Sequence, residues 1–216
     1  MYLLVALADL VEIPPQDLEK PPARAIEDLI NAKFADKVIF EVGLCVGFHS
    51  IIKCSEGKIA SGSGHVAVNV DFRLIVYRPF KGEIVHGTIT HSNPRAGVYL
   101  SQDFFEDIVV PPETLFDGTA WGVDDQGVEA FIWNTNDNEY FFDRAESCLF
   151  RVEEEQWVDM SPQTKSPGGQ FIAEDAQTEG EKKKTPYLVR GSMMLSGLGP
   201  TLWWSGEQIE GEEDGG

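Results

Sequence analysis

Hydrophobic and polar residues alternate along residues 66–76, which is the clearest pattern in the chain. Asn69, Asp71 and Arg73 lie in the middle of the odd positions, and every even position is apolar. Successive side chains of a β-strand point to opposite faces, so the pattern predicts a strand with one buried face. The apolar positions are Val66, Val68, Val70, Phe72, Leu74 and Val76.

The residues before this strand predict strands and one helix. An apolar stretch from Tyr2 to Leu7, followed by Ile13, Pro14 and Pro15, is typical of a strand. After Pro21 and Pro22, apolar residues at helical spacing predict a helix of about three turns. These residues are Ile26, Leu29, Ile30 and Phe34.

Glycines interrupt the apolar segment between Lys37 and Lys53. Gly43 and Gly47 predict a strand, a bend and a second strand instead of a helix. Residues 55–58 then predict a hairpin turn. Because Pro79 ends one strand pattern and Gly82 precedes another, we place a domain boundary at residue 80.

The chain after residue 80 carries five short strand-like runs, a number that suits a small closed barrel. The runs are Glu83–Ile89, Gly97–Leu100, Ile108–Val110, Glu129–Trp133 and Tyr187–Met194. Residues 161–185 contain two larger apolar residues, Phe171 and Ile172, so we expect a disordered insertion. The acidic residues 205–216 predict a solvated tail.

The net charge differs between the two parts of the chain and argues against one class of function, the binding of duplex DNA. The 216 residues carry 17 basic and 36 acidic side chains, a net charge of −19. Residues 1–80 hold eight basic and ten acidic side chains, whereas residues 81–216 hold nine and 26. Such an acidic chain is not expected to bind duplex DNA through a covering of cations.

Cysteine and hydropathy patterns indicate the setting. Cys45, Cys54 and Cys148 are too scattered for a disulfide framework or a zinc cluster, as expected in a cytosolic or nuclear compartment. No apolar run approaches the roughly 20 residues that span a bilayer, so we expect no membrane association.

Motifs for catalysis and cofactors are missing from the sequence. The four histidines have no metal-binding spacing, and neither a phosphate-binding glycine loop nor a GxSxG motif occurs. A convergence of His86, His91 and Asp107 is the one arrangement that would suggest an enzyme. We therefore expect no catalytic residue, metal or cofactor.

A barrel can bind single-stranded RNA weakly when aromatic side chains stack on bases and cations engage phosphates. The candidates are Lys81, His86, Arg95, Tyr99, Phe104 and Phe105. At least one of the paired phenylalanines is expected to fill the core instead. The acidity of this part predicts few, salt-sensitive contacts.

Several ordered strings resemble a known family. They are Phe34–Ile39, Val42–Val46, Val70–Ile84, Phe104–Glu113, Gly197–Gly199 and Leu202–Trp204. Together they resemble the stalk subunits of multisubunit RNA polymerases, a family with archaeal and eukaryotic members. The long insertion and the closing tryptophans are most similar to the RNA polymerase III branch.

The resemblance implies an α+β, ribonucleoprotein-like tip domain in residues 1–80, with an antiparallel sheet and a helix. An all-β five-stranded OB barrel would follow in residues 81–204. It also implies a nuclear, non-catalytic subunit that forms a heterodimer with a second, mostly helical stalk subunit. The pair would support initiation at transfer RNA and other short-RNA genes and contact nascent RNA, with initiation factors as further candidate partners.

In this family the tip docks on the polymerase core. Carried onto this sequence, the docking residues are Lys37, Val38, Val42, Gly43, Leu44, Gly62 and His65. Two alternatives stay open: a stalk subunit of another multisubunit polymerase, and a free-standing OB-type RNA-binding protein.

Overall fold

The computed structural model describes residues 1–59, 61–102, 104–123, 127–135, 138–160 and 185–204. The tail, and the insertion except for Thr185, lie outside the described residues, so disorder and solvation there stay predictions. The chain divides into two compact units between Pro79 and Phe80. No helix among the described residues is long and apolar enough to cross a membrane.

The first unit is an antiparallel sheet with one helix. Its elements are β1 (Tyr2–Ile13), α1 (Pro22–Phe34), β2 (Lys37–Ile39), β3 (Gly43–Cys54), β4 (Lys58–Ile59) and β5 (Val66–Tyr77). The strand order is β1-β5-β3-β2, and the short β4 also pairs with β5. This confirms the helix, the strand at residues 66–76 and the interruption between β2 and β3.

The alternation in β5 places the core of this unit. Val70, Phe72 and Leu74 are completely buried, while Asn69 and Arg73 are exposed. The buried face packs with Ala25, Ile26 and Ile30 of α1 in one hydrophobic cluster. Burial of these side chains stabilises the unit by about 25 cal/mol for each Å² of apolar surface removed from water.

One local prediction for this unit is confirmed and another was wrong. The strand that begins with the apolar stretch Tyr2–Leu7 extends to Ile13, directly before Pro14, because it pairs with β5 along its whole length. Residues 55–58 do not form a hairpin turn, since β3 and β4 do not pair with each other. Both strands instead pair with β5, and the Ser55 amide between them donates to the Asn69 carbonyl (2.9 Å).

The second unit contains the barrel and a separate small sheet. Its strands are β6 (Ile84–Asn93), β7 (Gly97–Gln102), β8 (Phe105–Val110), β9 (Thr119–Val123), β10 (Glu129–Asn134), β11 (Glu139–Phe141), β12 (Ser147–Trp157), β13 (Tyr187–Ser192) and β14 (Gly199–Pro200). Strands β6, β7, β8, β13 and β12 pair in that order, and β12 closes onto β6. The predicted α+β unit followed by a five-stranded barrel is thereby confirmed.

The sequence prediction assigned the wrong segment as the fourth barrel strand. Glu129–Trp133 belongs to β10, which lies with β9 and β11 in the separate sheet. The barrel instead uses β12, whose Cys148, Phe150 and Val152 are completely buried. The charged outward residues of β12 and a register shift between Val152 and Glu154 conceal this alternation.

The backbone at Gly87 and Gly191 lies close to the ring of Phe150 inside the barrel. A Cβ atom at Gly191 would lie 2.7 Å from Phe150 Cδ2, and one at Gly87 would lie 3.3 Å from Phe150 Cε1. Contacts under 3.0 Å are sterically forbidden, so only glycine fits at residue 191. These glycines let β6, β12 and β13 pack around a large aromatic side chain.

Candidate nucleic-acid and partner interfaces

A groove of about 400 Å³ lies on the outer wall of the barrel. It runs across strands β7, β8, β13 and β12 and reaches the turn between β6 and β7. The residues that line it include Arg95, Tyr99, Asp107, Val109, Gln156 and Arg190. Ligands of OB barrels bind at the face of the second and third strands and at the loop joining the first two, which here are β7, β8 and the turn at Arg95.

Strand register sets the order of side chains across this groove. Tyr99 of β7 is opposite Val109 of β8, and Val109 is opposite Arg190 of β13. The Arg190 guanidinium lies 3.3 Å from Glu113 Oε1 and 3.6 Å from Glu154 Oε2. These two carboxylates hold the guanidinium against the barrel wall.

Two aromatic rings stack beside the groove. The His91 and Tyr99 ring centroids are 4.2 Å apart, and the ring planes differ by 9°. Arg95 is exposed in the adjacent turn, where its amide donates to Asn93 Oδ1 (2.9 Å). Stacked rings next to a guanidinium offer the two contacts that an unpaired nucleotide uses, base stacking and phosphate pairing.

The remaining RNA-binding candidates do not lie on this groove. Along β6, His86 and His91 are about 17 Å apart at roughly 3.3 Å per residue. His86 Nε2 is 2.9 Å from Ser147 Oγ, and Gln102 Nε2 donates to the His86 carbonyl (2.7 Å). Lys81, three residues before β6, and Phe104, two residues after Gln102, therefore lie toward this other end. The six candidates do not form one strip, and the two histidines do not converge.

Phe105 is a correction to the RNA-binding set. Its side chain is 4% exposed, and its ring lies 5.4 Å from that of Tyr187 inside the barrel. A base cannot stack on a ring that the core already covers. Phe104 is 48% exposed.

The segment that contains the predicted docking residues 37–44 forms a hairpin in the tip. Lys37 and Val38 of β2 pair with Cys45 and Leu44 of β3. The turn is closed by the Val42 amide, which donates to the Ile39 carbonyl (2.9 Å), and by Arg78 Nη1, which donates to the Glu41 carbonyl (2.7 Å). The hairpin is thus anchored to the end of β5.

Burial divides the predicted docking residues. Gly43 and Leu44 are buried and hold the hairpin on the sheet instead of facing a partner, whereas Lys37 is exposed and Val38 and Val42 are half-buried. The sequence analysis missed Phe40, which is 47% exposed at the tip of the hairpin. A large apolar residue at a turn is the feature of the sequence that could have identified Phe40.

Gly62 and His65 do not neighbour this hairpin. Leu44 pairs with Tyr77 at one end of β5, whereas residues 62–65 immediately precede Val66 at the other end. The two ends of the twelve-residue strand are eleven residue steps, about 36 Å, apart. The two predicted docking segments therefore cannot form one compact contact patch within this sheet.

Burial raises the pKa of two cysteine thiols. It raises the pKa of the Cys148 thiol to about 12, with Glu146 adding a smaller effect, and it raises the pKa of Cys45. A reactive cysteine needs a lowered pKa, so neither thiol resembles a nucleophile. In the part of the chain that the structure describes, no three His, Cys, Asp or Glu side chains are grouped to hold a metal ion.

Comparisons with known proteins cover both units. The family model of RNA polymerase III subunit Rpc25 matches residues 83–204. The model of the SHS2 domain found in the N terminus of Rpb7p, Rpc25p and MJ0397 matches residues 8–64.

Full-length relatives agree with these family models. The chain is 35% identical to the DNA-directed RNA polymerase III subunit RPC8 of Saccharomyces cerevisiae, over 94% of this chain and 100% of that protein. It is 35% identical to RPC8 of Bos taurus, over 95% and 99%. The RNA polymerase II subunit rpb7 of Schizosaccharomyces pombe is 29% identical over 44% and 60%. The chain therefore belongs to the family of RNA polymerase III subunit Rpc25.

Proposed function

We propose that this protein is the stalk subunit of nuclear RNA polymerase III. It forms a heterodimer with the second stalk subunit, docks on the polymerase core and supports initiation at transfer RNA and other short-RNA genes. Bond formation belongs to the large subunits, and the chain needs no cofactor of its own. Initiation factors are further candidate partners.

The observation that carries this proposal is the full-length similarity to RPC8 proteins, which spans the tip, the barrel and the region between them. Similarity to the polymerase II relative covers less than half of the chain, which favours polymerase III. A free-standing RNA-binding protein would not need a tip that resembles polymerase subunits.

In this proposal the tip hairpin, formed by β2 and β3, contacts the polymerase core and the barrel groove binds RNA. The exposed Phe40 and Lys37 contact the polymerase core, while the buried Gly43 and Leu44 hold the hairpin in shape. The groove receives emerging single-stranded RNA weakly, through the Tyr99 ring and the guanidinium of Arg95. The structural support is the shared location of these two side chains on the face that OB barrels use for oligonucleotides.

Affinity purification of the tagged chain in mild salt tests the proposal. We expect stoichiometric recovery of the polymerase III large subunits and of one smaller stalk partner, together with nuclear staining of the tagged chain. Recovery of polymerase II subunits would identify another polymerase. A chain recovered without any polymerase would instead leave the free-standing RNA-binding alternative.

A further inference from the structure

Strand β8 contains a bulge at the place where it borders the barrel groove. Phe105 and Ile108 are both buried, although residues three apart in a regular strand lie on opposite faces. The register of β8 with β7 shifts at this point, so that β8 has one residue more than its partner. A bulge of this kind turns both intervening side chains, Glu106 and Asp107, to the outer wall of the barrel.

Asp107 brings a carboxylate to the groove. It is half-buried there, two residues along β8 from Val109, whose apolar side chain also lines the groove. Tyr99 of β7 is opposite Val109, and diagonal neighbours across two strands lie about 7–8 Å apart. The carboxylate of Asp107 and the ring of Tyr99 are therefore close enough to contact one base together.

Arg190 approaches the same place from the other side of Val109. It pairs with Val109 from β13, so Tyr99 and Arg190 are two strand spacings, about 10 Å, apart. The carboxylates of Glu113 and Glu154 balance its charge, which makes it a weak ligand for phosphate. A guanidinium has five N–H donors, however, so Arg190 can still donate to a base.

The hydrogen-bonding groups of the four RNA bases decide which base suits this place. An ionised carboxylate only accepts hydrogen bonds. Guanine presents two neighbouring donors, N1–H and the N2 amine, on its base-pairing edge, whereas each of the other three bases presents one donor next to an acceptor that a carboxylate repels. Guanine also carries the acceptors O6 and N7, the pair that arginine binds most often.

We propose that the groove binds a guanine of single-stranded RNA in preference to the other bases. The base stacks on Tyr99, Asp107 accepts from N1–H and from the N2 amine, and Arg190 donates to O6 or N7. A carboxylate has about four acceptor sites, so Asp107 can bind the base and keep a contact within the protein. This inference rests on the proposed function, which brings RNA to the barrel.

Titration of the full-length chain with nucleoside monophosphates, followed by NMR at the amides of Tyr99 and Val109, tests this preference. Single nucleotides avoid the several registers in which a longer strand can bind. Guanosine monophosphate should bind about tenfold more tightly than the adenosine, cytidine and uridine compounds, because a bidentate contact to a base discriminates by about that much. Inosine monophosphate, which keeps N1–H and O6 but lacks the N2 amine, should have an intermediate affinity.

Asp107→Asn and Glu106→Gln are a matched pair of variants. Both remove one negative charge from the bulge, but Glu106 is exposed outside the groove. Asp107→Asn should reduce the preference for guanosine monophosphate to within about twofold, because an amide offers one donor and one acceptor. Glu106→Gln should keep the preference at about tenfold. The ratio of dissociation constants is compared, since both variants also lower repulsion of phosphate, and circular dichroism checks that each variant is folded.

The outcomes separate this inference from the proposed function. Equal binding of all the nucleotides at the groove would overturn the preference for guanine and leave RNA binding in place. A preference that survives Asp107→Asn would overturn the role of this carboxylate. No response at Tyr99 to any nucleotide or to a short single-stranded RNA would remove both this inference and the RNA-binding part of the proposed function, while the polymerase assignment would still be decided by affinity purification.

Discussion

Gly43 shows how one residue fixes the conformation of the tip hairpin formed by β2 and β3. Its φ of +139° is a conformation that L side chains rarely adopt, and a Cβ atom there would lie 2.4 Å from Val76 Cγ1 and 2.6 Å from the Tyr77 carbonyl oxygen. Backbone and packing both require glycine. Gly43 is therefore required for the fold of the tip, whatever its part in binding a partner.

Gly43→Ala should destabilise the tip by about 3 kcal/mol, the combined cost of backbone strain and overpacking. Gly62→Ala is the matched control, because Gly62 also has a positive φ (+93°) but nothing within 4 Å of its Cβ position; it should cost about 1 kcal/mol. All five tryptophans lie after residue 120. In chemical denaturation of Gly43→Ala, the transition followed by circular dichroism should therefore shift, while the transition followed by tryptophan fluorescence should stay unchanged. Equal losses of stability in Gly43→Ala and Gly62→Ala would contradict the steric argument.

Glu146 carries a prediction about pH. Burial, with a smaller effect of Asp143, raises the pKa of its carboxyl, and Oε2 is buried with no hydrogen-bond partner in the described structure. A raised pKa means that the stability contributed by the protonated carboxyl is lost as the pH rises through that pKa.

Glu146→Gln should therefore raise the melting temperature at pH 7, with the advantage shrinking as the pH is lowered through the raised pKa. The control is Glu106→Gln on the exposed face of β8, which should change little. Calorimetry over a pH series gives both curves. A gain for Glu146→Gln that is equal at all pH values would show that charge burial is not its cause.

At this scale the sequence could identify residue types but not their orientation. It indicated that Phe104 or Phe105 fills the core, yet which one depends on the register of β8 with β7. Arg190 was overlooked for the same reason, because its place beside Val109 in the groove depends on pairing with a strand some 80 residues earlier in the chain.

Helices and strands with a regular apolar pattern were predictable from the sequence. A strand whose pattern is interrupted by charged residues was not. β5 and α1 each bury one face of a regular pattern, so their periodicity is complete within one segment. β12 buries alternate residues too, but Glu153, Glu154 and Glu155 follow one another across a register shift. Three consecutive acids resemble a solvated loop unless the barrel is already known.

The C-terminal 3-10 helix, Thr201–Trp204, ties the small sheet to the end of the barrel. The Trp203 ring lies 5.5 Å from Trp133 and 4.8 Å from Phe142, within a larger group of aromatic rings. The indole of Trp204 donates to the Leu198 carbonyl (2.8 Å). These three contacts fix both tryptophans that the sequence analysis singled out.

Trp203→Ala should cost about 3 kcal/mol, because it removes a large ring from this aromatic cluster. Leu202→Ala, a change at a 66% exposed side chain in the same helix, should cost about 0.5 kcal/mol or less. Thermal unfolding by calorimetry measures both without relying on tryptophan emission. Similar small effects would mean that the cluster contributes little to the stability of this unit.

Across the whole molecule, acidic charge limits the RNA binding that we propose for the groove. The part after residue 80 carries 26 acidic against nine basic side chains, and two of those bases, Arg95 and Arg190, line the groove. Binding to single strands weakens with salt in proportion to the phosphates neutralised. Weak binding that depends on a large assembly for its location fits this charge distribution.

With Arg95 as the phosphate contact, the slope of log affinity against log salt should be about −0.7, so raising salt from about 50 to about 200 mM should weaken binding about 2.6-fold. Fluorescence anisotropy of a short single-stranded RNA with the heterodimer measures this slope. Arg95→Gln should make it shallower by about 0.7 because one contact is lost. Tyr99→Leu should lower affinity by about 1–3 kcal/mol with the slope unchanged, because stacking is uncharged.

Lys81→Gln is the matched control for these variants, since it removes an exposed cation at the other end of the barrel wall and should leave both quantities unchanged. A slope steeper than about −3 would require cations beyond the groove, because each contact adds about −0.7. A normal slope in Arg95→Gln together with a shallower one in Lys81→Gln would move the RNA to the His86 end of β6. Either result would replace the groove as the RNA site while leaving the barrel fold and the polymerase assignment intact.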